Sequence, residues 1–289
     1  MLEAFTYENH KGVAFEGLPN GVYLQTNELR DYSWEYETMN NRISRFYRAT
    51  KQRKIPLLIC CKTVEEAAET KNRLLDLADI DIEAIRPGKI RIGEWYTTGY
   101  ITSSKKKDYR ISGRFCGIEL VLTSTDPCWY REQVYVFGGD IDLNLPPADD
   151  TVYQSEYPYD YHSPTRWSSF NFDYFVPYTS RYIRCSDVRK SQFRIRIFGE
   201  VDRPVITIGS HVYALIDKIE PRAIVDIDSR NKTIVMTDEY GGKHNWFYYR
   251  DPDSYIFEPV PTGIVPVSYN GQFRFELTVI EERSEPAWT

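Results

Sequence analysis

The sequence has few of the residues from which most catalytic and metal sites are built. It contains only four histidines and five cysteines among 289 residues. It has no G-x-S-x-G motif, no glycine-rich phosphate loop and no pair of histidines at metal-ligand spacing. The cysteines are odd in number and scattered, which fits neither a disulfide framework nor a zinc site. We therefore predict that the protein is not an enzyme, and that it has no catalytic, cofactor-binding or metal-binding residues.

Long apolar runs and an excess of positive charge are also missing. No run approaches the roughly 18 to 20 apolar residues that span a bilayer, so we expect no membrane insertion. The formal net charge is -6 and the isoelectric point is near 5.4, whereas a nucleic-acid-binding protein needs clustered cations. We therefore expect protein partners and no sequence-specific binding of nucleic acid.

What the chain has in abundance is aromatic side chains. It carries 23 Tyr and 14 Phe against 3 Met, and aromatic residues favour the pleated, half-buried surface of a β-sheet. One stretch predicts a helix: Thr63 is a good N-cap, Glu66 follows at capping-box spacing, and apolar residues then recur at helical period. The sequence thus predicts a mainly β protein with one helix, of the α+β class.

Two clusters of basic residues in the first half leave alternatives open. Arg42, Arg45 and Arg48 follow one another at threefold spacing, which fits one face of a helix or a twisted strand with solvated cations; we favour the strand. The run Lys105–Lys107 fits a phosphate-binding patch or the solvated tip of a hairpin. We favour the hairpin tip because an aspartate follows directly and the net charge is negative.

The C-terminal stretch, residues 224–289, has the densest local signals. Residues 229–232, Gly241-Gly242 and Asn270-Gly271 each predict a turn between strands. After the last of these turns, apolar and polar residues alternate, which predicts a strand lying over a core. The alternating apolar residues are Phe273, Phe275, Leu277 and Val279. The stretch is therefore interpreted as a β-meander.

The same stretch resembles a known family. The matching positions are, in order, Ile227–Ser229, Lys232–Val235, Asn245–Phe247, Arg250-Asp251, Ile256-Phe257, Pro261–Gly263 and Arg283–Trp288. Their order over more than sixty residues is similar to that of the distal tail protein (Dit) of long-tailed, siphovirus-type bacteriophages and prophages. The order of strand, helix and hairpin in the first half also resembles the N-terminal domain of this family.

The resemblance implies a domain organisation and a structural role. It implies an N-terminal ring-forming belt domain over residues 1–135 and a C-terminal galectin-like antiparallel β-sandwich over residues 136–289. Residues 136–192 are an aromatic-rich connecting region. The implied function is a homohexameric distal tail ring that joins the tail tube to the tail-associated hub or lysin protein at the phage tail tip or baseplate. Receptor-binding proteins are further partners, and the ring would belong to the virion after assembly in the cytoplasm of the bacterial host.

Four aromatic residues are predicted as subunit or partner contacts: Trp167, Phe170, Phe172 and Trp288. The alternative function is a carbohydrate-binding β-sandwich module that contacts host cell-wall polysaccharide. In that interpretation Trp246 would stack on a sugar ring. Packing of Trp246 inside a structural strand is the competing interpretation, because the other polar residues of a galectin-type site are missing around it.

Overall fold

The computed structural model describes residues 4–138, 181–270 and 273–288. The chain forms two compact units. The first unit comprises Met1–Glu132 together with Ile280–Thr289, and the second comprises Gln133–Val279. The sequence-based division lies close to the first of these boundaries, but it put the last ten residues of the chain in the second domain. The second unit is therefore an insertion in the chain of the first.

The first unit is built from short and long antiparallel strands and one helix. Its elements are β1 (Thr6–Glu8), β2 (Ala14–Glu16), β3 (Val22–Leu24), β4 (Glu35–Met39), β5 (Arg42–Tyr47), β6 (Lys51–Cys60), α1 (Val64–Glu83), β7 (Gly88–Ile92), β8 (Trp95–Ser112) and β9 (Phe115–Ser124). Strand β10 (Trp129–Phe137) begins in this unit. The order β10-β8-β7-β1-β2 forms one run of paired strands, β8-β9-β6-β3 forms another, and β4 pairs only with β5. The predicted mainly β fold with one helix is confirmed.

Helix α1 begins as the sequence predicts. The Thr63 side chain accepts a hydrogen bond from the Glu66 backbone N–H, and the Glu66 carboxylate accepts one from the Thr63 N–H, so the capping box is complete. Leu74 and Leu77 pack into the core of the first unit. Near the other end of the helix, Asp81 is fully buried and accepts hydrogen bonds from Tyr7, from the His10 backbone and from the His10 ring at 2.6 Å. These bonds tie the helix to the first strand of the unit.

The prediction that Lys105–Lys107 forms a hairpin tip is wrong. Strand β8 continues through the three lysines, which pair with Glu119, Ile118 and Gly117 of β9. The turn lies beyond Ser112, where the chain passes Gly113 before β9 begins. Backbone pairing with β9 holds the three lysines in the strand. The Lys107 ammonium also lies 2.9 Å from the Glu119 carboxylate, which offsets part of the positive charge.

The second unit consists of two antiparallel sheets. Its further strands are β11 (Arg181–Arg184), β12 (Gln192–Phe198), β13 (Val205–Ile208), β14 (His211–Ala214), β15 (Ile224–Asp228), β16 (Thr233–Thr237), β17 (Lys243–Asn245), β18 (Ile264–Tyr269) and β19 (Phe275–Arg283). One sheet has the order β17-β16-β15-β12-β19 and the other β11-β18-β13-β14. A single apolar cluster contains residues from both sheets.

The C-terminal meander follows the sequence closely. The turn at 229–232 joins β15 to β16, and Gly241 with a φ of 85° lies in the turn between β16 and β17. The predicted apolar face of the last strand is buried, with Phe275, Leu277 and Val279 fully enclosed. The third predicted turn involves Gly271, which lies outside the described residues.

Candidate assembly surfaces

The hairpin β4–β5 of the first unit carries several exposed apolar side chains. Its two-residue turn is Asn40-Asn41, and both residues have positive φ, 51° and 60°. A two-residue loop with two positive φ values is the geometry that matches the twist of an antiparallel pair, and asparagine tolerates it well. The structure confirms the strand interpretation for Arg42 and Arg45, whereas Arg48 lies just beyond β5 and its side chain is largely buried. The Asn-Asn pair is the sequence signal that could have identified the hairpin.

One face of this hairpin is apolar and open to solvent. Tyr36 pairs with Phe46 and Thr38 with Ile43 across the two strands, so these four side chains share a face. The rings of Tyr36 and Phe46 meet edge to face with centroids 6.4 Å apart. Tyr36 is 59% exposed, Phe46 57% and Ile43 52%. We call these four residues the hairpin face.

The opposite face of the hairpin is mainly polar but also carries Met39, which pairs with Arg42 and is 68% exposed. Glu37 pairs with Arg45, and Glu35 pairs with Tyr47. A hydrogen bond to the Glu35 carboxylate raises the pKa of the Tyr47 hydroxyl above its usual value. The hairpin is thus amphipathic, although neither of its faces is covered within the described part of the first unit.

The base of the hairpin is held firmly. Arg48 follows β5 directly, and its guanidinium stacks 4.2 Å above the ring of Trp34, which immediately precedes β4. The same guanidinium donates to the Glu282 carboxylate at 2.5 Å and contacts the Cys128 sulfur. Burial raises the pKa of the Cys128 thiol to about 12, so this thiol remains protonated at neutral pH. The base of the hairpin is therefore anchored to the rest of the first unit by Arg48.

Of the four residues predicted as subunit or partner contacts, only Trp288 is described. Its ring is 73% exposed, and the guanidinium of Arg30 lies 4.0 Å from its centroid. Arg30 also donates to the backbone carbonyl of Pro286 at 2.8 Å. Trp288 is thus held by one face and offers the rest of its surface to solvent. Trp167, Phe170 and Phe172 lie outside the described residues.

The predicted sugar-stacking residue is enclosed in the second unit. Trp246 is only 7% exposed and packs against Tyr249 with ring centroids 5.0 Å apart. A sugar stacks on an exposed ring face, whereas the ring of Trp246 is enclosed in this conformation. Trp246 lies directly after β17 and before the short 3-10 turn Phe247–Tyr249, not within a strand. The exposed ring nearby in sequence is Tyr248, at 82%.

Within the described residues, no group of three or more histidine, cysteine or carboxylate side chains is placed to hold a metal ion. Over the same ranges, no helix is both long enough and apolar enough to cross a membrane.

The architecture matches solved structures of phage tail proteins. One is the crystal structure of the SPP1 Dit (gp 19.1) protein, described as a paradigm of the hub adsorption apparatus in phages that infect Gram-positive bacteria. It aligns with 96% of this chain and 99% of its own length, with a TM-score of 0.56 and 12% sequence identity. A chain from the phage P2 baseplate in its activated conformation with Ca aligns with 99% of this chain and 100% of its own length. Its TM-score is 0.62 and its identity 8%.

The same baseplate in its activated conformation with Sr gives the same values, a TM-score of 0.62 and 8% identity. No protein-family model matches the sequence, and no curated protein matches it either. At such low identity the likeness establishes the fold. The distal tail protein fold, which the sequence resemblance predicted, is therefore confirmed.

Proposed function

We propose that the protein is a structural component of a phage tail tip or baseplate. In this proposal six copies form a ring that joins the tail tube to the tail-associated hub protein, with receptor-binding proteins as further partners. The full-length fold similarity to the SPP1 Dit protein and to a chain of the phage P2 baseplate supports the proposal. The proposed role is architectural and non-enzymatic, and the proposed location is the virion after assembly in the bacterial cytoplasm.

The hairpin face carries the proposal that copies of the chain bind one another. A two-stranded hairpin without a third strand or a covering helix is marginally stable in water. Its large apolar side chains are nevertheless turned outward, and contiguous exposed apolar surface on a soluble protein marks an interaction site. Burying Tyr36, Ile43 and Phe46 in a neighbouring subunit would stabilise both the hairpin and the assembly.

A ring requires that the hairpin meet a different surface of the neighbour. Closed cyclic symmetry with more than two subunits uses heterologous interfaces, in which one patch of each subunit contacts another patch of the next. The hairpin face is a single projecting element and suits one half of such an interface.

The test is the mass of the assembled particle. Purified protein, alone and mixed with tail tube and hub proteins, is examined by native mass spectrometry and negative-stain electron microscopy. We expect rings with the mass of six 34.0-kDa chains. Replacing both Tyr36 and Phe46 by serine should abolish the rings, because it removes the apolar surface that the interface would bury.

The matched control is Tyr240→Ser. Tyr240 is also a large exposed aromatic residue, at 89%, but it lies in a turn of the second unit. Its replacement should leave the rings intact. A wild-type chain that stays monomeric at high concentration and does not join the tube and hub proteins would contradict the proposed function.

A further inference from the structure

Helix α1 carries an acidic stripe along its solvent side, interrupted between Glu69 and Asp76 by exposed Asn72 and flanked there by Arg73. Five exposed carboxylates recur at separations of four, seven, three and four residues, which places them on one side of a helix. They are Glu65, Glu69, Asp76, Asp79 and Glu83. The helix has 20 residues and is therefore about 30 Å long, and the stripe runs over nearly all of it. We call these five residues the acidic stripe.

The C-terminal half of this stripe is electrostatically unfavourable in the isolated subunit. The helix dipole places partial negative charge at the C-terminus, where acidic side chains are destabilising. Asp79 and Glu83 lie there, and the last turn contains no basic residue. Lys11, next to His10, lines this end of the helix, and Arg86 follows three residues after Glu83. A positively charged partner surface would relieve the repulsion along the stripe.

A positively charged surface is present on the long strands of the same unit. Lys54 of β6 pairs with Val121 of β9, and Lys105 of β8 pairs with Glu119 of β9, so their side chains lie on one face of the sheet. Lys107 belongs to the same face and pairs with Glu119 at 2.9 Å, which lowers the pKa of that carboxyl. We call Lys54, Lys105 and Lys107 the lysine face.

The neutral part of this sheet face is flat and partly apolar. Pro56, Leu58, Gly117 and Val121 lie between the lysines and are only half-buried. The second carboxylate at this surface is Glu28, which accepts a hydrogen bond from the Lys54 backbone N–H at 2.9 Å. A helix laid across this surface would therefore meet apolar contact area as well as cations.

One copy cannot bring these two surfaces together. The inward side chains of the strands, such as Leu57 and Leu120, belong to the same core cluster as Leu74 and Leu77 of α1. The lysine face is on the other side of those strands, and the acidic stripe is on the other side of that helix. Both surfaces therefore point away from a shared core, and a complementary contact between them requires two copies.

We propose that the acidic stripe of one copy packs across the lysine face of the next copy, and that this contact repeats around the ring. The inference rests on the proposed ring and specifies a heterologous contact between neighbours in addition to that of the hairpin face. The occupant is a second copy because the chain itself supplies a charge-complementary surface. Complementary charge at an interface sets register and partner choice.

Charge reversal on each side, and then on both, tests the contact. The helix variant is Asp76→Lys/Asp79→Lys/Glu83→Lys, and the sheet variant is Lys54→Glu/Lys105→Glu. Each alone should lower the apparent association constant of the ring at least about tenfold, because like charges would then face each other across the interface. A chain carrying all five changes should form rings again, since every contact is once more between opposite charges. Ring mass is measured by native mass spectrometry and light scattering at low and high salt.

The design separates a lost interface from a lost fold. Lysine near a helix C-terminus is favourable to the helix dipole, so the helix variant should unfold no more easily than the wild type in a thermal melt. A matched control is Glu200→Lys/Asp202→Lys/Glu220→Lys, which makes the same change in net charge on exposed positions of the second unit. That control should leave the rings intact.

The outcomes also separate this inference from the proposed function. A wild-type chain that forms no ring overturns both. A wild-type ring that is indifferent to either reversal, or that is not restored by the five combined changes, overturns the stripe-to-lysine contact alone. Retention on heparin or duplex DNA that is lost in Lys54→Glu/Lys105→Glu while the ring persists would assign the lysine face to a polyanion and would likewise overturn the contact.

Discussion

Two hairpins in this protein have similar local sequence signals and opposite relations to solvent. In β15–β16, Ile227 pairs with Ile234, and both side chains are buried in the core of the second unit. In β4–β5, Tyr36 pairs with Phe46, and both are more than half exposed. Each hairpin presents one apolar face. The first is covered by its own chain, whereas the second is not covered by any described part of the first unit.

The difference indicates that apolar alternation can encode either folding or assembly. Burial of an isoleucine pair contributes to the stability of the monomer, because those side chains leave water when the chain folds. An exposed pair leaves water only when another molecule covers it. Mutations in β15–β16 should therefore change the free energy of unfolding, and mutations in β4–β5 should change the association constant.

The largest expected effect comes from truncating one apolar side chain in each hairpin. Ile227→Ala removes buried methyl groups and should lower the free energy of unfolding by about 2–5 kcal/mol. Ile43→Ala, the matched change on the hairpin face, should alter it by no more than about 0.5 kcal/mol. Both are measured by urea denaturation at a concentration where the protein is monomeric.

Equal losses of unfolding free energy for Ile43→Ala and Ile227→Ala would contradict the distinction between the two hairpins. They would mean that the hairpin face is already buried in the isolated chain. In ring formation, Ile43→Ala should have the larger effect of the two. Ile43→Ala should weaken association, and Ile227→Ala should leave the association constant of the folded fraction unchanged.

A smaller effect is expected from the turns. Lys232 adopts a φ of 54°, in the left-handed region where a residue with a Cβ is strained. Lys232→Gly should therefore raise the free energy of unfolding by about 0.5–1 kcal/mol. Asn41→Gly, at a φ of 60° in the exposed hairpin, should change it by less than about 0.5 kcal/mol because asparagine tolerates this conformation. A destabilised Lys232→Gly variant would show that the lysine side chain contributes more than the strain removes.

The smallest effects are on pH dependence, and they have opposite signs in the two regions. The bond from Tyr47 to Glu35 raises the pKa of Tyr47 above 10.0, so its stabilisation is complete below pH 10 and is lost as the pH rises through the folded-state pKa. Bonds from His244 and then from the Gly242 N–H lower the pKa of Asp238 below 3.8. Its stabilisation is complete above that pH and is lost as the pH falls through the lowered value.

Carbon-13 NMR shifts of the two segments, followed across both pH ranges, measure these two steps. The Glu35–Tyr47 end of the β4–β5 hairpin should open first at alkaline pH, and the turn after β16 at acid pH. Tyr47→Phe should remove the alkaline step and leave the acid step unchanged, and Asp238→Asn should do the converse. A single transition shared by both segments would contradict independent local opening.

The sequence predicted those elements whose signals are local. The capping box of α1, the turn at 229–232 and the alternation that ends at Val279 each depend on a few neighbouring residues, and the structure confirms them. The prediction of a hairpin tip at Lys105–Lys107 was wrong because three consecutive lysines are compatible both with a turn and with an exposed strand. Ladder pairing with β9, which is a non-local contact, decided between them.

The candidate surfaces were harder to predict for the same physical reason. Ile43 and Phe46 are three residues apart, and only the register shift within β4–β5 places them on one face with Tyr36. The sequence shows neither this shift nor whether anything covers the face. The sequence marked Trp246 as a candidate for sugar stacking, but its burial by the rest of its unit is a tertiary property. The sequence also could not show that the chain returns to the first unit at its end.

That return determines the order in which the protein can be completed during synthesis. Glu281, which is almost fully buried, receives hydrogen bonds from Arg131 at 2.8 and 3.1 Å, and Glu282 receives one from Arg48. These contacts join residues 150 and 234 positions apart. Glu281 and Glu282 follow the inserted unit in the chain. The first unit can therefore form these contacts only after the ribosome has made the whole inserted unit.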